Sequence, residues 1–121
     1  MAGAPWIPDR RDIIWIDCNP QAGREMKDLH PLLVLSPKAF NERTGILIGL
    51  PMTTAAYNDT NPFAIKFHGP RGVASYVLAH QPKSFDWRAR RAKVHPWKQV
   101  PEDVFAATCE QLNQIIAICV G

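Results

Sequence analysis

Eleven prolines and seven glycines are spread along this 121-residue chain, and they limit its fold more than any other feature. Proline interrupts helices and central strands, and glycine favours turns, so the segments between these residues are short. No internal repeat, low-complexity tract or linker divides the sequence. The spacing therefore predicts a small β-rich fold rather than a helix bundle, in a single domain over residues 1–121.

Short runs that are apolar or alternate with a two-residue period predict the strands. These predicted strands cover residues 12–17, 32–35, 46–50, 63–67, 75–79 and 92–94. The third of them is expected to end at Pro51, because proline lacks the amide donor of a ladder. The result is a compact, curved antiparallel sheet or barrel.

Two helices are predicted beside the strands. Ser36 is expected to cap a short helix with Pro37 as its first residue, and Gly45 to end it. Pro101, followed by two acidic residues, opens the one long helix near the C-terminus. Five residues at helical spacing are expected to pack that helix on the sheet: Phe105, Cys109, Leu112, Ile116 and Cys119.

The chain is mildly basic, with 14 basic and 11 acidic residues. The basic residues crowd into residues 71–98, where Asp86 is the only acid. A charge run of this kind is a solvated surface or a groove that follows the phosphates of a nucleic acid.

Three cysteines without a pairing pattern argue against a disulfide framework and favour a reducing compartment. No secretory signal and no apolar stretch of membrane-spanning length is visible. We therefore expect a soluble cytoplasmic protein. Since no His, Cys or Asp pair has ligand-like spacing, neither a metal nor another cofactor is expected.

Several segments together resemble one family, the MazF/PemK toxins, over roughly residues 8–120. The most specific are the strand that ends in V-L-S-P at residues 34–37, the P-x-T-T turn at residues 51–54, and the Q-x-K-S…W-R-A-R segment at residues 81–90. The supporting matches are Pro8-Asp9, residues 12–17, Asn19-Pro20, Glu25, His30-Pro31, Asn41 and Thr44-Gly45.

This resemblance implies an SH3-like small barrel, mainly β, with a short internal helix and a C-terminal helix. It also implies a homodimer that cleaves single-stranded mRNA at short sequences, and a cognate antitoxin that blocks the RNA groove. Such an enzyme is an endoribonuclease toxin, or mRNA interferase, which stops translation and growth.

RNA cleavage without a metal uses the 2′-OH of the substrate as nucleophile. A base must take its proton, an acid must protonate the leaving 5′ oxygen, and donors must hold the phosphate. By the resemblance the catalytic candidates are Glu25, His30, Thr53 and His80. His30 stands where the family usually has an arginine, and His80 where it usually has an aspartate.

Histidine is the side chain whose ordinary pKa lies nearest neutrality, so two histidines can share acid and base work. The other interpretation is that the substitutions have impaired catalysis. Glu25 would orient His30 or accept a proton. His68 and His95 do not map to the family's site and are expected to be surface or turn residues.

Residues from the later part of the chain are candidates for RNA contacts. Cationic side chains would bind phosphates of any strand, and polar ones would hydrogen-bond the strand. The candidates are Thr54, Gln81, Lys83, Arg88 and Arg90. Trp15 and Trp87 are either base-stacking residues or core residues.

Two other functions remain open at this point. A non-catalytic toxin of the same fold, similar to the CcdB proteins, would bind DNA gyrase, and fold alone does not exclude it. A catalytically dead regulator would bind RNA without cutting it.

Overall fold

A computed structural model describes residues 5–18 and 29–117. Those residues form seven strands and two helices. In chain order they are β1 (Asp12–Asp17), β2 (Leu29–Val34), α1 (Lys38–Thr44), β3 (Ile46–Thr53), β4 (Ala64–His68), β5 (Ala74–Leu78), β6 (Lys83–Asp86), β7 (Lys93–Gln99) and α2 (Glu102–Ile116).

The strands form one antiparallel sheet in the order β4-β5-β3-β2-β1-β7, and β6 pairs with the first half of β3. β4 and β7 are the two ends of this order. Phe67 of β4 and Trp97 of β7 nevertheless pack edge to face, with 6.2 Å between ring centroids. The sheet therefore curls until its edges approach each other, and we call this curled sheet the half-barrel. The predicted mainly β, barrel-like fold with a short internal and a C-terminal helix is confirmed.

Side chains alternate between the two faces of this curled sheet. On β1, Ile13 points into the half-barrel and joins a core with Leu33 and Val77, against which Val104 and Phe105 of α2 pack. Ile14 and Ile16 point outward into a second core, which includes Trp87. The chain thus buries apolar side chains on both faces of its central strands. For this reason the sequence of these strands is a continuous run of apolar residues and does not alternate with polar ones.

α1 is present and ends as predicted, at Gly45, whose φ of 73° is left-handed and suits glycine. The predicted capping role of Ser36 is wrong. Pro37 occupies the cap position, without a side-chain cap. The Ser36 hydroxyl instead donates to Oδ1 of buried Asn41 (2.6 Å) and accepts from the Ile48 amide (2.8 Å), so it ties the helix to β3.

β3 does not stop at Pro51 but continues to Thr53. Up to Gly49 it pairs with β6, and from Met52 it pairs with β5. Pro51 lies in the gap between these partners, so its missing N–H costs no ladder bond there. β6 itself was not predicted, and β7 is much longer than the predicted residues 92–94.

α2 begins as predicted after Pro101, with Glu102 and Asp103 in its first turn. The expectation that Cys109 is a core residue is wrong, because its side chain is exposed in the single chain. Cys119 lies outside the described residues. No helix in the described part of the chain is long and apolar enough to cross a membrane.

Candidate active site at the mouth of the half-barrel

One end of the half-barrel opens into a cavity of about 350 Å³. β1 and β3 finish here, and β2 and β5 start here. Barrel mouths are common ligand sites, because strand ends and loops converge there around a rigid frame. The cavity is lined by Trp15, His30, Pro31, Met52, Thr53, Thr54, Ser75, His95 and Trp97.

His30 and Thr53, the two residues predicted to be central, come together at this mouth. Leu32 of β2 lies opposite Pro51 of β3. The ladder of these two strands ends at this pair, and His30 and Thr53 lie two residues beyond it on the same face as Leu32 and Pro51, the outer face of the sheet. They therefore form the rim of the cavity, and the side chains of the inner face form its wall.

The Thr53 hydroxyl is oriented by the backbone that follows it. Its oxygen accepts a hydrogen bond from the Ala55 amide (3.1 Å), so its own O–H remains available as a donor. A 3₁₀ turn, Ala56–Thr60, comes next. It is fixed to the sheet by Asp59, which accepts from the Tyr76 hydroxyl (2.5 Å) and pairs with Lys66 (2.8 Å).

His95 was expected to be a surface or turn residue, and that expectation is wrong. Its side chain is only 8% exposed and lines the cavity with His30 and Thr53. Nδ1 accepts the Trp97 amide (3.0 Å), which leaves the proton of the neutral ring on Nε2. Burial lowers the pKa of His95, so the ring is held in its neutral form.

Three aromatic rings meet in the cavity wall. The His95 ring lies 4.5 Å from that of Trp15 and 5.4 Å from that of Trp97, measured between centroids. Trp15 is half-buried in this wall, and its base-stacking interpretation stays a prediction. Trp87 is a core residue whose indole donates to the Asn41 carbonyl (2.8 Å). One feature of the sequence indicates this wall. His95 and Trp97 are two residues apart, so their side chains lie on the same face of the strand.

Two of the predicted RNA-binding cations lie near His30: Lys83 on the outer face of the sheet, and Arg90 beside the end of β1, where its carbonyl accepts the Asp17 amide (2.9 Å). Lys83 is opposite Gly49, which shares a face with Thr53 four residues further along β3. Lys83 and Arg90 both lower the pKa of Cys18, which burial raises more strongly, so both lie near the end of β1. The two cations thus place positive charge beside the rim. The position of Lys83 is about 13 Å from that of Thr53, measured along β3.

Thr54 lines the cavity beside Thr53, whereas Arg88, His80 and Gln81 lie elsewhere in the single chain. Arg88 stacks over the Trp87 ring, with its guanidinium 4.1 Å from the centroid. His80 is exposed in the turn after β5, and its ring lies near that of Phe63 (5.5 Å between centroids). Its Nε2 lies 3.2 Å from Nε2 of the Gln81 side chain. None of these three lines the cavity. Glu25 lies outside the described residues.

No three His, Cys, Asp or Glu side chains among residues 5–18 and 29–117 form a group that would hold a metal ion. Of the described residues that line the cavity, none is lysine or arginine. The polar and aromatic groups that the described residues bring to the mouth are the imidazoles of His30 and His95, hydroxyls and two indole rings. Such a set suits proton transfer and stacking on a flat ligand.

Fold and site together define a class: a small half-barrel protein with a histidine and a threonine in one cavity at the barrel mouth. Residues 9–116 match the family model described as PemK-like, MazF-like toxin of type II toxin-antitoxin system. The chain belongs to this family, and the resemblance drawn from its motifs is confirmed.

Known relatives agree with this family. The endoribonuclease toxin MazF of Escherichia coli K12 is 40% identical over 89 residues, which cover 72% of this chain and 76% of that protein. The crystal structure of MazF from Deinococcus radiodurans matches with a TM-score of 0.78 and 35% identity, over 94% of this chain and all of that one. A MazE-MazF structure from the same organism matches with a TM-score of 0.78 and 30% identity, over 95% and 100%.

Proposed function

We propose that this chain is the toxin of a toxin–antitoxin pair and acts as an endoribonuclease on single-stranded mRNA, thereby inhibiting translation and growth. The family and the named activity of its relatives support the class of reaction. The observation that carries the proposal to particular residues is that His30 and Thr53 line the same cavity at the barrel mouth.

The proposed reaction begins with attack of the substrate 2′-OH on the neighbouring phosphorus, after which the 5′ oxygen leaves. His30 is exposed at the rim and is the group that exchanges protons with the reacting oxygens. The Thr53 O–H, free to donate because its oxygen already accepts the Ala55 amide, hydrogen-bonds the phosphate. These residues supply proton transfer and phosphate binding without a metal ion.

The cations beside the rim hold the rest of the strand. Lys83 and Arg90 share the end of β1, near His30, and would bind phosphates on either side of the cut. Gln81, Arg88 and Thr54 remain predicted RNA contacts. His80 remains a predicted catalytic residue, and Glu25 a predicted partner of His30. We place the protein in the cytoplasm, where its mRNA substrate is found.

We further propose that the toxin is a homodimer with a cognate antitoxin. The apolar stripe of α2 is incompletely covered in the single chain: Ile115 and Ile116 are 40% and 37% exposed. Cys109 and Leu112 line a groove beside Leu35. A second copy would bury such a surface. A MazE-MazF structure among the relatives supports an antitoxin as the other partner.

The decisive experiment incubates purified protein with a long single-stranded RNA, with and without EDTA, and with DNA of the same sequence. Wild type is expected to cut RNA in both buffers and to leave DNA intact, because DNA lacks the 2′-OH. His30→Ala and Thr53→Val should each lower the rate by at least about 100-fold, the scale of a lost general acid–base group for His30 and of a lost transition-state hydrogen-bond donor for Thr53. His68→Ala is the control, since His68 is exposed at the end of β4.

Three outcomes would contradict the proposal. A folded His30→Ala protein that cuts at the wild-type rate removes His30 from the mechanism. RNA binding without products means a regulator that has lost catalysis. Absence of RNA cleavage combined with inhibition of DNA gyrase means a gyrase-binding toxin of the same fold.

A further inference from the structure

The pairing of β1 with β7 is interrupted by a large bulge. Asp12 pairs with Gln99 and Ile14 pairs with Val94, so one residue of β1 faces the four residues 95–98 of β7. Lys98 within this segment has a left-handed φ of 64°. We call residues 95–98 the β7 bulge. Bulges next to active sites commonly redirect side chains, and this one turns His95 and Trp97 into the barrel mouth.

The β7 bulge is held in a fixed position by its contacts. The Trp97 indole lies so close to the backbone of Gly69 that a Cβ there would be 2.4 Å from the ring. Phe67 packs edge to face against the same indole. The Trp97 amide in turn fixes the orientation of the His95 ring. The two side chains therefore present a preformed surface rather than a loose loop.

The surface offered by the β7 bulge suits a flat, uncharged ligand with polar edges. It is aromatic, with Trp15 completing it, and no described lysine or arginine lines the cavity. The Ser75 hydroxyl is buried in the same wall and has no hydrogen-bond partner among the described residues. Flat π-surfaces with a few hydrogen-bonding groups are what proteins use to hold an unstacked base.

We propose that the β7 bulge forms a nucleobase subsite, in which one base next to the cut phosphate turns into the barrel mouth and stacks on the wall of Trp15, His95 and Trp97. This inference rests on the proposed endoribonuclease function. The phosphate lies at the rim with His30 and Thr53, and the base lies inside. The subsite selects the base at one position of the target, through its shape and through Ser75 and His95 Nε2.

The first test maps cleavage sites on one long RNA for wild type, Trp97→Leu and the control Trp6→Leu. Trp6 is a partly exposed tryptophan at 37%, packed against Trp87 and outside this cavity. Trp97→Leu should lower kcat/KM at the best site by about 5- to 150-fold, the scale of one lost stacking contact, and relax the base preference at one position. Trp6→Leu should keep the wild-type sites and rates.

A second measurement needs no variant. The four tryptophans of the chain give separate indole N–H signals in ¹⁵N-labelled wild type. The probe is an RNA with a mapped target site, made uncleavable by a single 2′-deoxy nucleotide at the cut. Its binding should shift the signals of Trp15 and Trp97 and leave that of Trp6, which lies outside the cavity, in place.

The outcomes separate the two proposals. A wild type that cuts no RNA contradicts the proposed function. A wild type that cuts RNA, with unchanged sites and rates in folded Trp97→Leu, contradicts the base subsite alone. If Trp97→Leu does not fold, the indole signals decide, and bound RNA that leaves Trp15 and Trp97 unmoved overturns the subsite.

Discussion

Gly69→Ala would place a methyl group where the indole of Trp97 now lies. The new Cβ would be 2.4 Å from Cη2 and 2.5 Å from Cζ3 of that ring. Carbon atoms prefer separations of about 3.5–4.0 Å, so the indole must move by about 1 Å. It has little room to do so, because Phe67 and His95 pack against it.

Overpacking of this kind costs about 1–3 kcal/mol of unfolding free energy. For 121 residues the unfolding entropy is about 0.25 kcal/mol per kelvin, so Tm should fall by roughly 4–12 °C. The assay is a double-mutant cycle by urea denaturation with Trp97→Leu, which removes the ring that clashes. In that background Gly69→Ala should cost less than about 0.5 kcal/mol.

Gly72→Ala provides the matched control for this cycle. Gly72 has a φ of 75° but open space around its Cβ position, so alanine there costs backbone strain without touching Trp97. Its effect should add to that of Trp97→Leu. If the effects of Gly69→Ala and Trp97→Leu also add, within about 0.5 kcal/mol, Gly69 does not position the cavity wall and the reasoning is refuted.

Three further predictions concern stability. Asn41→Ala should lower the unfolding free energy in urea by about 2–4 kcal/mol, because it leaves the Ser36 hydroxyl and the carbonyls of Pro8 and Ser36 without their partner. A decrease no larger than that caused by Asn113→Ala, at an exposed position, would contradict this. Hydrogen bonds from Lys66 and Tyr76 lower the pKa of Asp59, so its stabilisation is present above about pH 4 and is lost as pH falls through the folded pKa. Asp59→Asn should lower Tm at pH 7 and reduce the fall of Tm with pH in the acid range, and an unchanged fall would refute the assignment. Burial lowers the pKa of His95, so the unfolded chain binds the proton more readily and wild type should lose stability as pH falls below about 6.5. His95→Phe should reduce the slope of the unfolding free energy against pH in this range, and equal slopes would argue against a buried neutral ring.

Much of the fold could be predicted from local pattern, and the exceptions have physical causes. The strand at Asp12–Asp17 and the helix after Pro101 carry strong local signals, and both are present. Pro51 lies inside β3 because the strand changes partners there, which a sequence does not reveal. β6, with the sequence K-S-F-D, has too few apolar residues to stand out as a strand.

The site was predictable where the motifs carried it, and His30 and Thr53 do meet at one cavity. The place of His95 in the cavity wall was not predicted, because the segment around it contains Pro96 and is typical of a loop. That place depends on a bulge in the pairing of β7 with β1. Cys109 was misplaced for a related reason. Helical spacing identifies a stripe on α2 but not which of its residues the sheet covers.

The central claim is that His30 and Thr53 form a site that cleaves RNA by attack of its own 2′-OH. The most direct test is the chemistry of the product ends, measured on a short RNA that contains one mapped target site. We predict a 5′-hydroxyl on the downstream product and a 2′,3′-cyclic phosphate or 3′-phosphate on the upstream one, with no cleavage when the attacking 2′-OH is replaced by hydrogen. A 5′-phosphate and a 3′-hydroxyl, or unimpaired cleavage of the 2′-deoxy substrate, would contradict this account.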